Sequence, residues 1–499
     1  MNRHNYFFKI LKKINNFINS LLERNLNKLN TTNLKKTLIN NKIFLSIILV
    51  IILFLSYISI PNIYNQNEIS TEIKKNLTEK LNLEFNFEKK LVYKFLPRPH
   101  FTTNKSSLIF NQKKISEINK IKIYVSLATL FSLKNMEIKD VVIEEANFNL
   151  NKSNYGFFIN LLNNNFKDTK FEILDSTIFY RNLDNEVLFI NNIKNAKYIY
   201  DLTESRNILY SKNNIFNLPY SIELFNSGNQ KKLNSKLNIK ILDLQVLNQF
   251  TYGEKFNSGL SEFNFLNSKS IVKYKANKDY YEFKLFDKLQ KSKFSYNGKL
   301  NLRPFYSNLE GSTIEIDLGH LFNINGIIKQ LLKTEILNNR NVDFKLNISA
   351  NKIKNFDNFT NIFLKSKIQE GLIDLDETKF SWKNYVNFNL TDSLIYTKDG
   401  NLILDANSQI DLINLNEVYK FLLTPKNLRK KINKINKINI NFTYLFDEKT
   451  LNINDIKVDN ISNKNLLKDL NEINLKENSL QNKIYLKKYL NDVIKNYAG

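Results

Sequence analysis

The chain has 499 residues, 42% of them hydrophobic and 24% charged, so it carries enough apolar material for a sizeable core and is not a disordered polyelectrolyte. Its formal charge of +25 would suit a nucleic-acid binder, yet only 8 of the 73 basic residues are Arg and they form no cluster or recognition helix, so nucleic acid is not an expected partner. Cysteine is absent, which excludes a disulfide framework, a thiolate nucleophile and a Cys-ligated metal.

Residues 1–42 hold nine Lys or Arg against the single acid Glu23. Within them Phe7, Ile10, Leu11, Ile14, Phe17, Ile18, Leu21 and Leu22 share one helical face, the pattern either of a helix lying on an anionic leaflet or of a solubilised linker. From 43 to 60 the chain reads IFLSIILVIILFLSYISI, with no charge between Lys42 and Glu68. Such a run can cross ~30 Å of hydrocarbon. It exceeds the ~7–15 residues of a signal-peptide core, and PNIYNQNE follows it in place of a small-residue cleavage site. The expectation is an uncleaved single-pass helix over 43–62, with the basic tail 1–42 kept in the cytoplasm and everything beyond Pro61 exported.

Ile69, Ile73, Leu77 and Leu81 then recur every fourth residue, predicting a short helix with Asn67 as N-cap. After it the period changes to two: Leu83/Phe85/Phe87, Leu237/Ile239/Ile241, Val272/Tyr274/Ala276, Tyr281/Phe283/Leu285, Ile314/Ile316/Leu318, Val342/Phe344/Leu346/Ile348, Val386/Phe388/Leu390, Leu402/Leu404/Ala406 and Ile438/Ile440/Phe442/Tyr444. These predict strands with one apolar and one polar face. No regular series of long helices separates them, so the expectation is antiparallel meanders and hairpins. Short helices are expected over 324–337 and 415–425. Leu480, Ile484, Leu490, Val493, Ile494 and Tyr497 predict a C-terminal amphipathic helix over about 480–498.

No catalytic constellation emerges. His4, His100 and His320 are isolated, and phosphate-binding, nucleophile-elbow and dinucleotide motifs are missing. The DLDET segment, Asp374 to Thr378, has the form of a phosphatase nucleophile loop, but that chemistry needs the end of a parallel strand in an α/β fold; between alternating strands it reads as a charged turn. Neither enzymatic activity nor a metal or other cofactor is expected.

Two of the chain's six prolines stand in LPRPH, 96–100. Proline donates no N–H and holds its neighbour extended, so this step ends ladder pairing and turns the chain without making a helix. Around it, KLNLEFNFEKKLVYKFLPRPHFTTNKSSLIF and INKIKIYVSLATLFSLKNMEIKDVVIEEANFNLNKSNYGFFINLL resemble the N-terminal region of AsmA-family proteins of Gram-negative bacteria. Pro97 and Pro99 occupy the step. Val125, Leu127, Leu130 and Leu133 form the apolar segment after it, and Met136, Ile138, Val141, Ile143 and Phe148 the next strands; Gly156 and Asn160 stand at the closing turn. The likeness covers about residues 43–200, and strand patterning alone continues it.

The resemblance implies a mostly β fold: an N-terminal transmembrane helix, a long antiparallel curled sheet forming a groove, a few short helices and a C-terminal amphipathic helix. Residues 63–200 would be the AsmA-like β region, 201–460 the continuing groove, and 461–499 a C-terminal helical segment. The expected groove floor is Leu83, Phe85, Phe87, Val342, Phe344, Leu346, Ile348, Val386, Phe388, Leu390, Leu402, Leu404, Ile438, Ile440 and Phe442, side chains that would serve equally to fill a closed core. The implied role is phospholipid transfer between inner and outer membrane in outer-membrane biogenesis, from an inner-membrane anchor with the bulk periplasmic. The alternative is a periplasmic scaffold or assembly factor for outer-membrane proteins. Expected partners are phospholipid, the inner membrane, and outer-membrane or periplasmic proteins.

Overall fold

The structure, a computed structural model, describes residues 42–498 apart from 183, 228–231, 266–267, 278, 290–292, 303–304, 318–330, 333–337, 433–434, 472–474 and 477–482. The basic tail, Leu318 and Leu480 lie outside the described residues, as does most of the helix expected over 324–337, of which 331–332 are helical.

The apolar run forms α1 (Lys42–Ser59), which passes into a 3-10 turn at Pro61. No single helix among the described residues is long and apolar enough to cross a membrane; residues 46–62 together with the following helix form a pair that passes by length and composition, bent by 84°. That second helix is α2 (Gln66–Leu81). Its cap is Asn65, two residues before the expected Asn67: Asn65 is still extended, and its side chain accepts from the Asn67 N–H at 2.9 Å. Asn82 ends the helix in the left-handed region, at φ 48°. Ile69, Ile73, Leu77 and Leu81 are all buried.

The sheet begins with β1 (Glu84–Phe87), β2 (Val92–Lys94), β3 (His100–Phe110), β4 (Lys113–Val125) and β5 (Ile138–Leu150). Both β1 and β2 pair with β3. The proline step lies between β2 and β3, as its missing N–H groups require. There the Pro99 carbonyl accepts from the Val125 N–H, and Arg98 pairs with Asp140 at 2.7 Å while stacking over the Tyr124 ring.

A meander follows: β6 (Lys170–Arg181), β7 (Val187–Asp201), β8 (Arg206–Ile215), β9 (Leu218–Ser227), β10 (Lys232–Ile239), β11 (Leu244–Thr251), β12 (Asn257–Phe265), β13 (Ser268–Ala276), β14 (Tyr280–Asp287), β15 (Phe294–Leu302) and β16 (Phe305–Ile316). The rest comprises β17 (Val342–Ile353), β18 (Phe359–Gln369), β19 (Leu372–Asp374), β20 (Lys379–Trp382), β21 (Val386–Lys398), β22 (Asn401–Leu412), β23 (Lys437–Leu445), β24 (Thr450–Val458), β25 (Ile461–Ser462) and β26 (Leu475–Lys476). All 26 described strands belong to one sheet.

That sheet is mixed, which corrects the expectation of a purely antiparallel one. β5 pairs parallel with β6, and β16 parallel with β17. A parallel pair needs the chain to cross back over the sheet. The first crossing, 151–169, contains only α3 (Phe157–Asn160) and a 3-10 turn, too little helix to mark a crossover by period. Ile241, expected in a strand, sits exposed in a 3-10 turn (Lys240–Leu242).

A crease runs across the early strands. Lys105 of β3, Glu145 of β5 and Asp175 of β6 have φ of 57°, 56° and 44°, and the β7–β8 register shifts between Ile193 and Asn195. The ladders place these positions opposite one another. An inserted residue bends its strand. Because the bends are aligned, Ile118 and Ile121, three apart in β4, are both buried in the same core.

The DLDET segment is the turn from β19 to β20. Asp376 accepts from the Ser393 N–H and hydroxyl, and the Thr378 hydroxyl bonds the Lys365 backbone. Near the C-terminus, α4 (Leu415–Leu422) forms where a helix was expected and is capped by Asn414. It is followed by α5 (Lys426–Ile432), α6 (Lys464–Asn471) and α7 (Lys483–Ala498). Helices α6 and α7 pack with Ile453, Ile456 and Val458 of β24.

The largest packed cluster joins α2 to inward residues of β1 and β3–β10. Removing a methyl-rich side chain there leaves a cavity that the sheet cannot collapse around. Leu77→Ala is therefore expected to cost about 2–5 kcal/mol, read as a lowered midpoint in urea unfolding, whereas Lys75→Ala on the exposed face of α2 leaves the midpoint in place.

Candidate functional site

Side chains alternate between the two faces of a strand, and residues paired across a ladder share a face, so register carries one face from strand to strand. Starting at Phe85, the pairs run Phe85–Leu108, Leu108–Ser116, Ser116–Phe148, Phe148–Ile178 and Ile178–Asn191. Ile193, on the same face of β7, pairs with Asn213, and Ser211 beside it with Ile222; then follow Ile222–Leu237, Leu237–Val246 and Val246–Phe263. Ser261 leads on through Val272, Leu285, Tyr296, Gly311 and Ile348 to Leu364. Phe344 reaches Tyr444 by way of Ile368, Ile373, Ile395 and Leu404. The fourteen floor candidates that lie within strands all fall on this one face. Leu83, immediately before β1, packs in the same core as Phe85.

The sheet bends toward this face. Phe189 and Phe305, both on it, approach to 5.8 Å between ring centroids although they belong to β7 and β16. Beside them the Asn339 and Asn341 amides donate to the Leu188 carbonyl, and Lys152 pairs with Asp279 at 2.8 Å. The apolar face is therefore the concave one.

Its closure varies along the sheet. At the N-terminal end Leu83 and Phe85 are sealed beneath α2, and Phe87 packs beside them half-buried. Farther on, Val342, Val386, Leu390 and Leu402 are buried, the last two in a cluster with Leu332, Ile373 and Ile395. Phe344, Leu346, Ile348, Phe388 and Leu404 are half-buried. Ile438, Ile440 and Phe442 are half-buried too, and Ile438 and Ile440 border the cluster under α6 and α7. Between these ends, among the described residues, β12–β15 contribute nothing to any packed apolar cluster. Val272, Tyr274, Phe283, Leu285, Tyr296 and Leu300 line that stretch, each half-buried.

Three glycines shape it. A Cβ on Gly259 would lie 2.1 Å from the Tyr274 ring, on Gly298 2.4 Å from the Phe283 ring, and on Gly311 2.2 Å from the Tyr296 ring. Each aromatic side chain thus lies flat across the neighbouring strand, paving the floor with ring faces. The sequence reading placed Tyr274 and Phe283 in strands but not in the floor, and passed over Tyr296. The available signal was a glycine at an inward position opposite an aromatic residue.

A polar line also crosses the floor. Tyr220 donates to Asn191 at 3.1 Å and Ser211 to Asn213 at 2.8 Å; the Asn248 side chain accepts from Ser261 and Tyr274 and donates to Ser235. Burial pushes the Tyr220 and Tyr274 phenols up to about 12, so both stay protonated in neutral solution. These groups satisfy one another, which removes most of the cost of placing them among apolar neighbours.

The opposite face is wet. Over β13–β16 it presents Lys273, Lys275, Lys284 and Lys299 with Glu282 and Glu310, around a shallow depression of about 850 Å³. His100 is buried, holds the Arg98 carbonyl through Nδ1 at 2.7 Å and packs its ring against Tyr124 at a tilt of 38°. Among the described residues no three His, Asp or Glu side chains stand together as a metal site.

Residues 36–167 match the model of the AsmA family, the region of α1, α2, the proline step and β1–β5. The assignment read from the sequence holds over that segment. No curated protein matches the chain.

The paved floor makes a specific demand on its glycines. Gly298→Ala should lower the unfolding midpoint by the equivalent of about 1–3 kcal/mol, because the Phe283 ring must leave its place. Adding Phe283→Ala should recover part of that loss, whereas simple additivity in the double-mutant cycle would show that the ring does not rest on the glycine.

Proposed function

With residues 36–167 an AsmA-family segment, we propose that the chain is a membrane-anchored periplasmic β-groove protein that carries phospholipid between the inner and outer membranes of a Gram-negative envelope and so contributes to outer-membrane biogenesis. The observation that carries this reading is the concave apolar face running on through β12–β15, where the described residues form no packed apolar cluster. A bare apolar trough in water is costly, and each CH₂ it buries contributes about 0.8 kcal/mol. Acyl chains supply the matching linear array of CH₂ groups while the head groups stay in water. The task needs no nucleophile, base or metal, only a track along which the free energy of a chain changes little from rung to rung.

The anchor in this reading is α1. Its residues from Leu49 to Leu55 are large, apolar and at least half exposed, so no part of the described chain covers them. The basic residues before it favour a cytoplasmic N-terminus and hence a periplasmic sheet.

Purified gently and examined by native mass spectrometry with lipid extraction, the protein should carry phospholipid. Leu346→Asp and Phe344→Asp, which put a charge on the half-buried floor, should abolish that lipid, and Asn347→Asp on the opposite face should keep it. A folded protein that carries no lipid under any mild condition would favour the scaffold role instead.

A further inference from the structure

We infer that the end of the sheet nearest α1 is itself a bilayer-binding surface, dipping the 126–135 loop and its neighbours into the head-group region of the leaflet from which α1 emerges. The inference rests on reading α1 as an anchor and adds a second, peripheral membrane contact to it.

The starting observation is where α1 meets the sheet. Tyr57, in the last turn of α1, donates its hydroxyl to the Leu127 carbonyl at 2.5 Å, and Tyr64 donates to the Leu130 carbonyl at 2.9 Å. These bonds hold the loop between β4 and β5 level with the point at which the apolar helix ends. Residues buried in the protein fill one side of that loop: Leu130 and Met136 belong to the core under α2. On the other side Leu127 is 45% and Phe131 65% exposed.

The same end of the sheet carries more of this kind. β3 begins where β4 ends, because His100 pairs with Tyr124, so the 95–99 turn lies beside the 126–135 loop. That turn exposes Leu96 to 60%, and the link after α1 exposes Ile63 to 83%. Lys94 and Lys134 stand exposed next to these apolar residues. Apolar tips flanked by two lysines suit an interface in which the tips reach the acyl boundary and the ammonium groups meet anionic head groups. The position beside the exit of the apolar helix selects a bilayer over a soluble partner.

The contact would also bring the sealed N-terminal end of the trough against the leaflet and hold its direction relative to the membrane, which a single flexible helix cannot do.

Trp382 is the only tryptophan, so a Trp382→Phe background permits one reporter at a time. The full chain is reconstituted into phosphatidylethanolamine–phosphatidylglycerol vesicles whose acyl chains are brominated either near the head group or near the chain end. Leu53→Trp reports on α1; Phe131→Trp and, independently, Leu127→Trp report on the loop. The expected result is loss of fluorescence for Leu53→Trp and for both loop reporters, the loop reporters losing most to bromine near the head group. Quenching of Leu53→Trp with both loop reporters as bright as in unbrominated vesicles would overturn the inference and leave the anchor intact. Absence of quenching at all three positions would overturn the anchor reading and the surface together.

Discussion

Everything in this protein hangs on an unbroken hydrogen-bonded ladder. Side chains on a strand alternate with period two, so a single slip of register would turn a strand's apolar residues to the wet face. Across the paired strands from Phe85 to Tyr444 no such loss occurs. Where a strand must bend, it does so in concert with its neighbours: the left-handed residues Lys105, Glu145 and Asp175 are aligned across the sheet, and the extra residue in each lets the apolar face turn inward without changing sides. Curvature and continuity are thus produced by the same local device.

The ends of the ladder are treated differently from its middle. At the start, α2 caps the sheet with four buried aliphatic residues, and the short strands β1 and β2 with the proline step leave little free edge for another chain to pair with. At the finish, α6 and α7 lie against β24, and two-residue strands close the edge. Such capping supplies the stability that an open trough cannot. Between the caps, the large apolar inward residues Val272, Tyr274, Phe283, Leu285, Tyr296 and Leu300 remain half-buried, with aromatic rings lying over glycines to make the floor.

Among the described residues, the polar groups that sequence motifs single out are engaged in the fold itself. The carboxylates of DLDET are consumed by a turn, and His100 by a tilted ring contact with Tyr124 and a backbone bond. The Asn, Ser and Tyr side chains on the floor hydrogen-bond to one another. What is left outside the packed clusters, among the described residues, is the concave apolar face over β12–β15.

The sequence by itself determined the apolar helix, the amphipathic α2 and those strands with an uninterrupted run of three or four apolar inward residues, such as β17, β22 and β23, because period three to four and period two are imprinted directly in hydropathy. It also determined the turn at Pro97 and Pro99, since a missing N–H is a property of the residue and needs no neighbour. Strands β8, β12 and β15 escaped, because Ser211, Asn213, Gly259, Ser261 and Gly298 stand at their inward positions and interrupt the alternation. Bulges hid others in the same way; the shift opposite β24 breaks its period between Ile453 and Ile456. Only the tertiary structure decided which of the alternating residues are sealed and which stay open. Leu83 and Leu346 look alike in sequence, and they differ because Leu83 packs in the core with α2 while Leu346 stays half-buried outside the packed clusters of the described residues, a matter of contacts between distant segments that no local pattern encodes.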